Sequence, residues 1–279
     1  MTLTSSYKRD ISVKFYFYII KVTLATFMST ITVVDVAHSE ILELNFAYAD
    51  LEQPPYIYGE GKDIPINPGV VVDMLKIVDQ RMPGLKINFV RLSWKRCLQY
   101  LHLGNVDGIF NASFLPERLQ NGVYPTLDGQ PDLTKRLVTI SYGIYTLDNS
   151  LITWDGQNFM HLNGLVGVNR GFSVISNLKK MGVPLQEVDS VSQNFLKLQL
   201  GRIEAVLAQN VTAYAVLQKQ DRFKGISQLS IPFITKPYYL MLSHQFVKKH
   251  REVAEQIWKE IENVREAEFD NLMANYTIE

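Results

Sequence analysis

Cysteine is almost missing from this sequence. Cys97 stands alone, which excludes an internal disulfide and any multi-cysteine zinc or iron–sulfur cluster. It lies in the helix-like run KRCLQYLHL and reads as a small core residue. An excess of either charge is missing too. Lys and Arg together number 28, as do Asp and Glu, so no overall field draws the chain to nucleic acid or an anionic membrane. Of the five histidines, no two share the spacing of metal ligands, and neither a metal nor a cofactor is expected. Nor is there a Ser-His-Asp order, a catalytic Cys-His pair or an obvious pair of buried carboxylates, so the expectation is that the protein is not an enzyme. What is present is globular in character: 47% apolar and 20% charged residues, at a length with room for two modest domains.

The first forty residues differ from the rest. Lys8, Arg9, Lys14 and Lys21 precede the mostly apolar run VTLATFMSTITVV, and Ala37 and Ser39 in the following DVAHSE fit the small-residue rule for signal peptidase. Residues 1–39 are read as a secretion signal, with the mature chain starting near Glu40 and residing in the periplasm. An uncleaved anchor stays open, because FYFYII ahead of Lys21 lengthens the apolar segment toward the ~20 residues a span needs. Lys21 in the middle argues against it. No cysteine sits at the cleavage point, which excludes a bacterial lipoprotein.

Past the signal, LELNFAYA alternates as a strand does and runs into the turn-rich DLEQPPYIYGEGKDIPINPG. VVVDMLKIVDQRM carries Val71, Met74, Leu75 and Val78 at helical spacing and is stopped by Pro83 and Gly84. LKINFVRL predicts a second strand, SWKRCLQYLHLG a helix capped by Ser93, and VDGIF a third strand. The β-α-β-α-β order implies a parallel sheet covered on both faces, with ligands at the carboxyl ends of the strands. Asn111, Ser113 and Arg118 fall just beyond that third strand. Near the end, LSIPFITKPYYLMLSH is strand-like, and Val253, Ile257, Ile261 and Val264 form one apolar stripe for packing.

An internal likeness suggests two similar lobes. LHLGNVDGIFNAS (residues 101–113) and LQLGRIEAVLAQN (residues 198–210) each read as a helix end, a glycine stop, an acid entering a strand and a polar residue where the strand emerges. Between the copies, LVGV is a strand followed by NRGFS and a helix. The first-turn amides of Gly171, Phe172 and Ser173 offer a seat for a carboxylate or phosphate, with the Arg170 charge beside it, although a Gly-x-Ser start also serves as a simple cap.

These residues resemble the type 2 periplasmic solute-binding proteins, in particular the amino-acid-binding family 3 that feeds ABC importers. The resemblance is carried over about residues 43–276 by PPYIYGEG, GVVVDMLKIV, SWKRCLQYLHLGNVDGIFNASFLPER, VGVNRGFS and GRIEAVLAQN. It implies a two-lobed α/β fold of mixed, mostly parallel sheets with helices on both faces. Lobe 1 would be residues 40–144 and 238–279, and lobe 2, residues 145–237, would be inserted into it. It further implies that Arg118 pairs bidentately with a ligand carboxylate, beside Ser113 and Asn111, and that Gly171 and Ser173 donate to the same group. Tyr56 and Trp94 match positions that pack on the ligand's body.

Gln209 departs from the pattern, standing where amino-acid binders place an aspartate for the α-ammonium; a neutral amide does not offset a buried ammonium. Arg170 and Phe172 also differ from the small polar residues usual beside the glycine. Two arginines without an opposing acid suggest an acidic or doubly anionic ligand, unless Glu52, Glu60 or Asp107 turns inward. The plainer alternatives are that Arg118 pairs with Glu117 or Asp128 on the surface and that Trp94 only caps lobe 1. The function implied is capture of a small carboxylate-bearing ligand in an interlobe cleft by a monomer that meets an ABC permease transiently at the inner membrane. An orphan sensory protein serving a membrane partner, or a cyclohexadienyl dehydratase-like enzyme, are the alternatives.

Overall fold

The structure, a computed structural model, describes residues 41–277. The secretion signal read at residues 1–39 lies outside the described residues. The first half opens as the spacing predicts, with β1 (Leu42–Ala49), α1 (Val70–Arg81), β2 (Leu85–Leu92), α2 (Trp94–Leu103) and β3 (Gly108–Ser113). α1 buries Val71, Met74, Leu75 and Val78 along one face, the stripe a 3.6-residue repeat places on one side. Ser93 does precede α2, but its hydroxyl makes no capping bond. Two short pairs, β4–β5 (Thr126–Leu127 and Gln130–Pro131) and β7–β8 (Thr153–Trp154 and Phe159–Met160), flank the long strand β6 (Val138–Leu147).

The second half follows with β9 (Val166–Asn169), α3 (Val174–Lys180), β10 (Leu185–Val188), α4 (Val191–Gln199), β11 (Ala205–Gln209), α5 (Asn210–Lys219) and β12 (Ile226–Gln228). The chain then returns through β13 (Ile234–Leu242) and closes with α6 (His244–Lys249) and α7 (Arg251–Thr277). α7 packs on α1 and buries Ile257, Trp258, Ile261 and Val264; the Trp258 indole donates to the Leu240 carbonyl at 3.0 Å. The apolar stripe expected there is therefore packing.

One continuous sheet runs in the order β10-β9-β11-β6-β13-β3-β1-β2, with β12 beside β6. The order has the same form from either end. Three strands pair in parallel (β2-β1-β3 and β10-β9-β11), and each set meets one antiparallel strand, β13 or β6. The long strands β6 and β13 pair with each other and join the halves. The lobe boundaries expected at 144/145 and 237/238 fall inside them.

The internal likeness occupies equivalent places in this arrangement. Gly104 and Gly201 follow α2 and α4 with φ of 72° and 66°, the left-handed conformation that ends a helix without a Cβ clash. Asp107 then accepts the Asn45 amide at 2.8 Å, and Glu204 accepts the Asn163 amide at 2.9 Å. Each acid thus satisfies a backbone donor next to its strand's entry.

Strand β3 differs from its expected end. It continues through Ser113, and the pairing with β13 covers Ile109 to Ala112 on one side against only Tyr239 to Met241 on the other. One extra residue is accommodated there, and Asn111 takes a left-handed φ of 59°. Asparagine tolerates this region better than most residues, and a bulge of this kind re-aims side chains.

Candidate functional site

Where the carboxyl end of β3 faces the turn after β9, a cleft holds about 520 Å³ of atom-free space, its mouth included. Trp94, Asn111, Ser113, Arg118, Arg170, Gly171, Phe172, Ser173 and Gln209 all line it, together with Ala49, Leu51, Gln53, Ile57, Phe110 and Tyr238. Tyr56 does not. Its ring lies buried in the core with Ile57 and Val71, because the turn at Gln53 directs Tyr56 N–H to the Gln53 carbonyl and its own carbonyl to Val71 N–H.

Arg118 sits in a short turn of helix, Pro116–Arg118, and is only 8% exposed. The expectation of a surface ion pair with Glu117 or Asp128 does not hold, since no ion pair among the described residues includes Arg118. Its guanidinium donates to the Ser113 carbonyl at 2.8 Å and to Ser113 Oγ at 3.3 Å, and it stacks over the Trp94 ring at 5.1 Å. Trp94 does more than cap its own half. A Cβ built on Gly171 would meet its Cδ1 at 3.4 Å, so the indole spans from Arg118 to the opposite wall.

The second wall departs from expectation in two ways. Arg170 is an exposed rim residue, 66% accessible at its side chain, and pairs with Asp189 at 3.5 Å; its charge is already answered by an acid. Phe172 N–H donates to the Asn169 carbonyl at 3.2 Å, so this amide closes a turn and is not available as a ligand donor. The Phe172 ring instead meets Tyr142 edge-on, with centroids 5.9 Å apart. Glu52, Glu60 and Asp107 stay outside the lining, which contains no acidic side chain.

Gln209 is buried at the end of β11, and its amide nitrogen donates to Gln53 Oε1 and to Tyr142 Oη, both at 3.3 Å. Gln53 Oε1 also accepts from Asn111 at 3.4 Å. One side chain from the loop after β1 therefore ties both strand ends together. Thr212 adds a second tie, donating to the Pro54 carbonyl at 3.0 Å. The Asn111 side-chain oxygen Oδ1 is buried without a partner among the described residues, a costly state unless something in the cleft donates to it.

Two residues of β13 escaped the sequence reading, which gave that strand only a connecting role. Tyr238 lines the cleft and meets Tyr142 hydroxyl to hydroxyl; burial raises both phenols above their ordinary value. Lys236 reaches Asn177 Oδ1 at 2.9 Å and Ser173 Oγ at 3.4 Å. Burial, with Arg118 and Lys180 adding repulsion, pushes its ammonium down to about 8. The period-2 pattern of ITKPYYLML was the available signal, since it places Lys236 and Tyr238 on one face.

No protein-family model matches the chain, and no curated protein matches it by sequence. Solved structures do. An ancestral arginine-binding protein bound to glutamine has a TM-score of 0.63 at 19% identity, over 85% of this chain and 98% of that one. The substrate-binding protein of an amino acid ABC transporter has a TM-score of 0.62 at 17% identity, over 85% and 100%. A histidine kinase sensor domain with similarity to periplasmic binding proteins reaches 0.66 at 14% identity, over 85% and 97%. Identity this low carries the backbone plan and not the ligand. The chain has the two-lobed fold of the type 2 periplasmic-binding proteins, the fold the sequence resemblance implied.

Proposed function

We propose that this protein is a solute-binding protein that captures a small carboxylate-bearing molecule in the cleft between its halves. The observation that carries the reading is Arg118, buried at the cleft wall without a carboxylate partner among the described residues. A guanidinium taken out of water without an anion is costly, and a planar carboxylate from a ligand would satisfy its fork. Asn111, Ser113 and Ser173 are the polar groups that would bind beside it. Trp94, Phe110 and Phe172 would hold the apolar body. Closure around such a ligand is the change a partner would recognise. Export to the periplasm, lobes divided within β6 and β13, action as a monomer, and delivery to an ABC permease belong to this reading. A solved transporter substrate-binding protein of the same fold supports it.

A second reading, a sensory protein that signals to a membrane partner, is favoured by the likeness to a kinase sensor domain. Both readings share the cleft, so the first test addresses binding. Melting of the purified protein would be followed against a panel of carboxylates, amino acids and small peptides, since a ligand selective for the native state raises its apparent stability. The expected result is a hit among carboxylates that Arg118→Ala weakens by about 100-fold or more, the scale for truncating one partner of a buried charge pair. A hit that keeps its affinity in Arg118→Ala would rule out this pocket.

A further inference from the structure

Resting on the carboxylate-binding reading above, we infer that the ligand is a dianion with two acid groups on a short carbon frame, and that Lys236 is the positioning residue for the second acid, acting through Ser173. The cleft's unanswered charge points this way. Arg118 and Lys236 have no carboxylate partner among the described residues. Arg170, the other cation at the cleft, is already paired with Asp189. No acidic side chain lines the space. A monoanion at Arg118 would leave the half-buried Lys236 ammonium with only neutral partners and the solvent it partly meets; a dianion brings an acid toward both.

The route through Ser173 follows from donor chemistry. Lys236 is half-buried behind the cleft wall and lines a separate shallow pocket rather than the cleft; its Nζ reaches Ser173 Oγ at 3.4 Å and Asn177 Oδ1 at 2.9 Å. An ammonium only donates. Ser173 Oγ therefore accepts from it and turns its own hydrogen away from Lys236 toward the cleft side, where the Tyr238 hydroxyl, hydrogen-bonded to both Ser173 and Ser113, is the group a ligand acid would displace or share. The groups bearing on Lys236 are Arg118, Lys180, Ser173 and Asn177. Two are cations and two are neutral, and none is an acid that would substitute for the ligand. Trp94, Phe110 and Phe172 line the same space and suit a few methylene groups or a ring.

The test uses malonate, succinate, glutarate and adipate against propionate and butyrate, by titration calorimetry on the purified protein from pH 6.5 to 9.5. These dicarboxylates stay doubly charged over that range, so any bend in the profile belongs to the protein. At least one dicarboxylate should bind on the order of tenfold or more tightly than either monocarboxylate, and its affinity should fall on the order of tenfold as pH rises past about 8. Lys236→Met should flatten the profile and weaken binding at pH 7. Lys236→Arg should restore affinity and remove the fall, because a guanidinium stays charged. It also serves as the control if the methionine variant folds poorly.

Monocarboxylates binding as tightly as dicarboxylates, or a flat profile in the unmodified protein, would overturn the inference. So would the failure of every dicarboxylate. A different carboxylate that stabilises the protein and depends on Arg118 would then leave the broader reading standing.

Discussion

Two buried arginines show why burial alone does not identify a functional residue. Arg91 is 2% exposed, yet its guanidinium donates to the carbonyls of Asp63 and Gly59 and holds the loop after β1 in place. Arg118 is almost as buried but stands at an open space. The two should respond differently to replacement by methionine, which keeps much of the volume and removes the charge. Arg118→Met should leave the melting temperature of the ligand-free protein unchanged or higher, because a buried charge without an acid is removed while the Ser113 carbonyl keeps the Tyr124 hydroxyl as its donor. Arg91→Met should lower stability by about 1–3 kcal/mol, since the part-buried hydrogen bonds to the Asp63 and Gly59 carbonyls lose their charged donor. Denaturant unfolding of both variants measures the contrast. A large loss of stability in Arg118→Met would mean that its role is structural.

At the scale of elements, the turn between β9 and α3 is held from behind by a tight helix–strand contact. A Cβ on Gly167 of β9 would lie 2.4 Å from Asn194 Oδ1 and 2.5 Å from Ile203 Cδ1, so only glycine lets α4 come this close. Asn194 uses the approach to donate to Asn169 Oδ1 at 3.2 Å, and the Asn169 carbonyl accepts the Phe172 amide. A packing contact in the second half is thereby linked to the turn that carries Gly171 and Ser173. Gly167→Ala should destabilise the protein by about 1–3 kcal/mol, the usual cost of overpacking. It should also weaken ligand binding, although the substituted residue does not line the cleft. Unfolding and binding measured on the same preparation would check both. An alanine variant with normal stability would show that α4 can move away freely.

Four buried phenols of the whole molecule, Tyr142, Tyr145, Tyr238 and Tyr239, lie on the strands that join its halves. Tyr142 and Tyr238 lie on the two crossing strands, and burial holds both hydroxyls protonated past their ordinary value; Tyr56 and Tyr124 are pushed up to about 12, again chiefly by burial. From about pH 10 upward the unfolded chain loses phenol protons that the native state keeps. The native state then binds more protons than the unfolded one, so stability falls as pH rises. Lys236 acts in the opposite sense. Its value of about 8 lies below the ordinary 10.5, so between these values the unfolded chain holds the extra proton and stability gains with pH. The expected melting profile is level or gently rising from pH 8 to about 10, then steeply falling. Calorimetry across that range checks it, and Tyr124→Phe should make the fall shallower. A flat profile to pH 11.5 would contradict the burial of these rings.

Local pattern was enough for much of the fold and part of the site. Helical spacing located α1 and α7, alternation located β1 and β2, and the likeness of residues 101–113 to 198–210 pointed to two equivalent strand ends. These signals are carried by neighbours in the chain, which is why they are legible there. The reading passed over β6, β10 and β12, and gave Lys236 and Tyr238 no role beyond a connecting strand. It also could not place Tyr56 in the core or Asp189 beside Arg170. Those facts depend on partners far apart in sequence: a bulge that aims Asn111, a glutamine bridging both strand ends, and a returning strand that sets a lysine behind Ser173. Residue types established by themselves that a cation and small polar groups were present; only tertiary packing decided which cation was left without an acid, because burial and pairing are properties of the space around a side chain.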